Sequence, residues 1–269
     1  MNPTYLYVLE KCGQLIDAPE DSILDYGCGA GDVVEAGRRR GLNMFGVEAF
    51  YAGGNTRESI AAKGYLGNIV RELEDGAIPF PDGSFKLVVA NQVFEHVPDL
   101  KPVLREIHRV LTPGGKLFCI FPSRDVIREG HCGVPMVHWF GKDNPLRFPY
   151  MYFFRCLGMG HNKFSKSRSE WTRDMLAWLD SFTFYQPLDS IRSLFDAQFV
   201  SSRHIEEDFL HFRLLHKGLK TIAAASLHPA LAPGSRLICR KLGGLVMISE
   251  KSLESGPKNA LKPASLTAT

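Results

Sequence analysis

Ile23-Leu24-Asp25-Tyr26-Gly27-Cys28-Gly29-Ala30-Gly31-Asp32 is an apolar run that stops at a carboxylate and three alternate glycines. A short buried strand that breaks into a glycine turn and then a helix leaves backbone N–H groups facing a ligand at close approach. Such a turn is suited to a nucleotide-like cofactor. Outward from it, strand-like runs at Ile23–Tyr26, Met44–Val47, Phe85–Asn91 and Lys116–Phe121 are separated by segments long enough for crossover helices. This alternation predicts a parallel sheet covered on both faces, an α/β fold. From Asp99 to Leu111, Leu100, Val103, Leu104, Ile107, Val110 and Leu111 recur at spacings of three and four, and Thr112-Pro113-Gly114-Gly115 ends the helix they imply. The rhythm lapses over residues 123–185, a segment rich in aromatic and basic residues that reads as an insertion. It resumes with a helix over Leu188–Asp196, a strand over Phe199–Ile205, a helical stretch over Phe209–Ala225 and a strand over Leu245–Ile248, which together fit a seven-stranded sheet.

With 269 residues and 45% hydrophobic content the chain can bury one large core, and a single domain over residues 1–249 is expected. Residues 250–269 carry little apolar content and read as a disordered tail. The balance of 32 basic against 29 acidic residues is too even for an electrostatic polyanion binder, so no nucleic-acid partner is expected. Six scattered cysteines without a C-x-x-C pair point to a reducing compartment, the cytoplasm. No run reaches the roughly 18 apolar residues of a membrane span and no leader pattern opens the chain, although contact with a membrane surface stays open.

The glycine turn alone also fits a nicotinamide fingerprint, but Gly-x-Gly-x-x-Gly counted from Gly27 requires a glycine where Asp32 stands. Glu48 closes the second strand, where a carboxylate accepts hydrogen bonds from ribose hydroxyls in both cofactor classes. Four elements in order discriminate: the Leu24–Gly31 turn, Gly46-Val47-Glu48, the run Ile78–Asn91 containing Pro79-Phe80-Pro81-Asp82-Gly83-Ser84, and Leu111–Leu117. Together they resemble the class I S-adenosylmethionine-dependent methyltransferases, in the subgroup of the ubiquinone-pathway enzymes, strongly over Ser22–Pro122 and loosely beyond.

That resemblance implies a Rossmann-like fold, S-adenosylmethionine as methyl donor with S-adenosylhomocysteine as product, and the 123–185 insertion on the acceptor side of a 1–249 methyltransferase domain. It assigns Asp25, Gly27, Cys28 and Gly29 to the methionine moiety, Glu48 and Ala49 to the ribose side, and Asn68 and Ile69, placed after the third strand, to the adenine. Asn91 and Gln92, at the end of the fourth strand, reach cofactor and acceptor. The acceptor is expected to be a small molecule, an oxygen on a glycan precursor or metabolite, with a quinone or other lipid, or a non-catalytic binding role, as alternatives. His96, His131 and His138 are the candidate bases, since imidazole titrates near neutrality. No metal is expected: Gln92 replaces the carboxylate that some relatives carry, and His131, Cys132 and His138 match no zinc spacing. The oligomeric state is not legible.

Overall fold

In a computed structural model that describes residues 2–50 and 55–253, one seven-stranded sheet organises the chain. Its strands are β1 (Ser22–Tyr26), β2 (Asn43–Glu48), β3 (Val70–Glu72), β4 (Phe85–Asn91), β5 (Leu111–Phe121), β6 (Ser201–His204) and β7 (Leu245–Glu250), in the order β3-β2-β1-β4-β5-β7-β6. The pairings from β3 to β5 are parallel, and β7 runs antiparallel to both β5 and β6. The Rossmann-like expectation holds, including the count of strands.

Neighbouring residues on a strand face opposite sides, so each face of the sheet needs its own cover. On one side Leu24, Val88 and Leu117 pack with Leu104 and Ile107 of α4 (Leu100–Val110) and with Ile191 and Phe195 of α7 (Leu188–Gln198). On the other, Ile23, Val89 and Phe118 pack with Tyr7 and Val8 of α1 (Pro3–Leu15), Val34 of α2 (Asp32–Arg38) and Phe209 of α8 (Glu206–His216). A further helix, α3 (Thr56–Ala62), contributes Ile60 to this second core. The Asp82-Gly83-Ser84 element turns out to be a structural clasp. Arg109 reaches from α4 to the carbonyls of Ile78 and Phe80 and to Asp82, while Phe85 is buried beneath.

The third strand requires a correction. Asn68 and Ile69 precede β3 instead of following it: Ile69 offers its carbonyl to Gly46 in the middle of β2, whereas Leu73, just past β3, donates to the Glu48 carbonyl at the carboxyl edge. With three residues, β3 is too short to read as an apolar run. The preceding Tyr65-Leu66 pair belongs to a turn in which the Gly67 amide donates to the Val70 carbonyl at 2.8 Å.

Two insertions stand on the carboxyl edge of the sheet, where the sequence suggested one. The segment after β5 folds around α5 (Arg147–Cys156) and α6 (Arg168–Phe182) with a core of its own, made of Cys132, Val134, Val137, Met151, Trp171 and Leu179. The second lies between β6 and β7 and holds α8, α9 (Lys220–Ser226) and α10 (Ala232–Leu242). Because β6 is parallel to β5 through the antiparallel β7, the end of β6 at His204 opens onto the same edge as the glycine turn. The single helical stretch expected over Phe209–Ala225 is interrupted at Gly218, whose φ of +77° closes α8. The tail expected over residues 250–269 lies outside the described residues from 254 onward, and Glu250 itself completes β7.

Candidate active site

Parallel sheets of this kind reverse their strand order between β1 and β4, and the crevice outside the carboxyl ends of these strands is where ligands bind. Asp25, Gly27, Cys28 and Gly29 from the β1 side and Asn91 and Gln92 from β4 line one cavity of about 490 Å³ there. The chain passes through left-handed backbone at Gly27 and Gly29, at φ +72° and +54°. At Gly27 a Cβ would lie 2.6 Å from Val93 Cγ2, so the turn is packed from below. At Gly29 a Cβ would meet no heavy atom within 4 Å, so the bend keeps an open face.

Glu48 ties the bend to the end of β2. Its Oε2 accepts from the Gly29 amide at 2.5 Å and its Oε1 from the Ala49 amide at 2.9 Å. Each carboxylate oxygen has two lone pairs, so capacity remains for hydroxyl donors. Asp25 is 3% exposed, and burial, reinforced by the negative field of Glu48, pushes its carboxyl up to about 8. A cationic ligand group at this position would restore its charge. Gln92 sits at φ +58°, held there by its amide on the Ile120 carbonyl at 2.7 Å, and the buried Asn91 Oδ1 has no partner among the described residues. Ala30, Asp32 and Val33 continue the lining past the bend, and Asn2, Thr4 and Tyr5 of the α1 entrance close it from the other side. Sequence reading missed these last three, although Asn2-Pro3 carries the signal of a capped helix start, with Asn2 Oδ1 accepting from Thr4.

Beyond β4 a 3-10 turn, Phe94–His96, meets the first insertion. Here the side chains of Glu95 and His96 come together with His131. The His96 and His131 rings lie 5.0 Å apart between centroids, with Trp178 beside both. His131 Nδ1 bonds the buried Glu129 carboxylate at 2.7 Å, and Glu129 also accepts from Tyr185 Oη at 2.6 Å and the Cys132 amide at 2.6 Å. Burial opposes charge on Glu129, but these donors outweigh it and hold its carboxyl down at about 2. For His131 the order is the same: burial lowers its pKa, and Glu129 more than reverses that and raises it. Glu95 is 1% exposed with both carboxyl oxygens unpartnered among the described residues, and burial pushes it up to about 7. His96 bonds the Phe182 carbonyl through Nδ1, and burial lowers its pKa.

His138 is set apart from this pair. Its Nε2 engages the Arg124 carbonyl and its ring packs 4.8 Å from Tyr185. Cys132 is buried and its Sγ takes the Val134 amide, which makes it a packing residue. One ligand atom from each of Glu95, His96 and His131 lies within 4.8 Å of the others, a donor set able to hold a divalent cation. Sequence spacing could not reveal it, because His131 enters from the insertion.

Residues 24–119 match a family model described as a methyltransferase domain. The fold agrees with that of a methyltransferase from Mesorhizobium loti described as S-adenosylmethionine dependent, with a TM-score of 0.52, 16% identity and coverage of 91% of this chain and 96% of that one. Over residues 24–119 the chain is thus similar to that methyltransferase family, and its fold is shared with the solved enzyme. Among curated proteins similar to this chain, the demethylmenaquinone methyltransferase of Symbiobacterium thermophilum is 31% identical over 160 residues, which are 52% of this chain and 62% of the relative. The ubiquinone biosynthesis O-methyltransferase of Pseudomonas aeruginosa is 35% identical over 102 residues, covering 36% and 42%. The chain thus spans less than two thirds of the length of either relative.

Within the matched region, Asp25, Gly27, Cys28, Gly29, Asn91 and Gln92 share the crevice, and Glu48, which also takes the Ala49 amide, is bonded to its glycine bend. Asn68 and Ile69 are not part of it, and Leu73 stands at the strand end where they were expected.

Proposed function

We propose that this chain binds S-adenosylmethionine over the glycine bend and transfers its methyl group to an oxygen of a small-molecule acceptor, with His131 as general base. What carries the reading is the convergence of Asp25 and the glycine bend on one crevice at the switch of strand order, with Glu48 bonded to that bend. S-adenosylmethionine supplies a methyl group already activated on a sulfonium, so the protein mainly has to orient the acceptor. Orientation contributes on the order of 7 to 11 kcal/mol. Asp25 would bind the cationic methionine end and Glu48 the ribose hydroxyls. Glu129 orients His131 through Nδ1, which leaves Nε2 to take the proton of an acceptor hydroxyl, and the negative carboxylate steadies the imidazolium that results.

A glycan precursor or similar polyhydroxylated acceptor is favoured by the cavity of about 340 Å³ beside His131, where Trp178 and Phe164 offer aromatic faces and Asn162, Lys166 and Asp174 offer polar ones. The quinone or lipid reading draws on the relatives' names and on a second cavity described below.

The test is incubation of the protein with methyl-labelled S-adenosylmethionine and a metabolite extract divided into aqueous and lipid fractions. Label in an aqueous hydroxylated compound supports the first reading, and label confined to the lipid fraction moves the acceptor to the second. Absence of S-adenosylmethionine binding in calorimetry overturns both. Turnover that survives a chelator keeps His131 as base, whereas loss on chelation, restored by a divalent ion, makes it a ligand.

A further inference from the structure

The α8–α10 layer carries a surface for which methyl transfer gives no reason. From Phe209 to Ser249 the chain has six Lys or Arg and no Asp or Glu. Two of the six are neutralised within the fold, Arg236 on Glu207 and Arg240 on Glu206, whereas Arg213, Lys217, Lys220 and Lys241 form no ion pair among the described residues. Eight of the nineteen exposed large hydrophobic side chains of the described residues lie between Leu215 and Leu242, including Ile222, Leu231, Leu237, Ile238 and Leu242, each more than half exposed. A soluble face of this size ordinarily intersperses both signs of charge and few aliphatics.

Behind this layer, α1, α8 and α10 enclose a cavity of about 540 Å³ walled by Phe209, Leu214, Ile238 and Leu242, with Arg213 and Lys217 among its lining. It shares Thr4 and Gln92 with the cofactor crevice. The acids of the α8 first turn are spent in ion pairs, Glu206 with Arg240, Glu207 with Arg236 and Asp208 with Lys11; the aliphatic side chains beyond them, flanked by cations, match a bilayer whose headgroups are anionic. The first insertion also exposes apolar residues, Phe153 and Leu157 among them, but its cations are partly consumed, with Arg147 on Asp180 and Lys166 on Asp174.

We propose that the α8–α10 layer docks on an anionic lipid surface and places the cavity behind it against the bilayer. The acceptor side of this proposal rests on the methyl-transfer reading, but docking itself does not. It is therefore tested without cofactor, by flotation of the full chain with vesicles of phosphatidylcholine alone or mixed with phosphatidylglycerol. Binding to the mixed vesicles, weakened by salt, and little binding to phosphatidylcholine alone is the expected result.

Lys220→Glu removes two units of positive charge and lowers the partition coefficient by more than about tenfold. Ile222→Ser with Leu237→Ser, neither of which lines the cavity, reduces capture at least as much, with far-UV circular dichroism and thermal midpoint reporting an intact fold. Failure of the unsubstituted protein to float with mixed vesicles overturns the proposal. So does capture that these folded variants leave unchanged. A concentration-dependent dimer abolished by the Ile222→Ser, Leu237→Ser pair, without lipid capture, assigns the face to a second copy of the chain instead.

Discussion

The two sides of the carboxyl edge are built differently. On the cofactor side, Asp25, Gly27 and Gly29 follow one another in a single turn, and Glu48 closes the adjacent strand, so short-range chain geometry alone assembles the crevice. On the acceptor side, Glu95 and His96 come from the turn after β4, Glu129 and His131 from the first insertion, and Tyr185 from beyond α6. The first arrangement is fixed by the sheet, whereas the second depends on the insertion's own core around Trp171 and Met151 holding its place. One fold can thus keep its donor site while its acceptor chemistry varies with what is inserted.

If the division is real, the two sides should fail separately. The largest effect belongs to the acceptor side: His131→Ala is expected to lower turnover by about a hundred- to ten-thousandfold, the range a general base supplies, with S-adenosylmethionine affinity in calorimetry unchanged. A matching loss of cofactor affinity would show the two sides to be one unit.

Next comes the cofactor side, where Gly27 and Gly29 should part company. Gly27→Ala sets a Cβ against Val93 in left-handed backbone, and denaturant unfolding should show a loss of about 2 to 4 kcal/mol. Gly29→Ala meets only open space, so its stability loss is limited to backbone strain of about 1 to 2 kcal/mol, while the new methyl narrows the crevice and weakens cofactor binding. Glu48→Ala removes the acceptor of two backbone amides and of the proposed ribose contacts, and a loss of about 1 to 3 kcal/mol in cofactor affinity is expected with turnover at saturating donor little changed.

The same division explains what could be read in advance. The β1, β2, β4 and β5 runs are apolar because both of their faces are covered, and α4 announces itself by its spacing, so the fold and the turn that lines the crevice were legible. The third strand misled because Val70–Glu72 is too short to establish a pattern. Tyr5 of α1 was missed because nothing local says that this helix lies against the glycine turn. On the acceptor side His131 could be named by its chemistry and Glu129 stands two residues before it, but Tyr185, which bonds the same carboxylate, meets them only through tertiary packing. The α8–α10 surface was hidden for a different reason. The lack of acidic residues after Asp208 is visible in the sequence, but that the leucines there face outward is not, because buried and exposed aliphatics have the same spacing.

The smallest effect tests whether the acceptor cluster is under electrostatic tension before any ligand arrives. Glu95 is buried without a hydrogen-bonding partner for its carboxyl, and its raised pKa of about 7 faces an ordinary unfolded value near 4.3. The native state therefore holds a proton that the unfolded chain releases, and stability falls as pH rises from the unfolded value through about 7. His131, with its raised pKa, acts in the same direction, its contribution being present below the ordinary histidine value and lost as pH rises through the folded one. Glu129, held at about 2, acts oppositely and only in acid, losing its contribution as pH falls through that value. His96 and Tyr185 also face the cluster. Glu95→Gln removes the first slope while leaving the Glu129–His131 bond in place. Unfolding free energies from denaturant titration at about pH 5 and pH 8 should therefore differ less in the variant than in the parent, by on the order of 1 to 2 kcal/mol. Parallel profiles would mean that Glu95 is already ionised and compensated, and that its charge is matched by His131 alone.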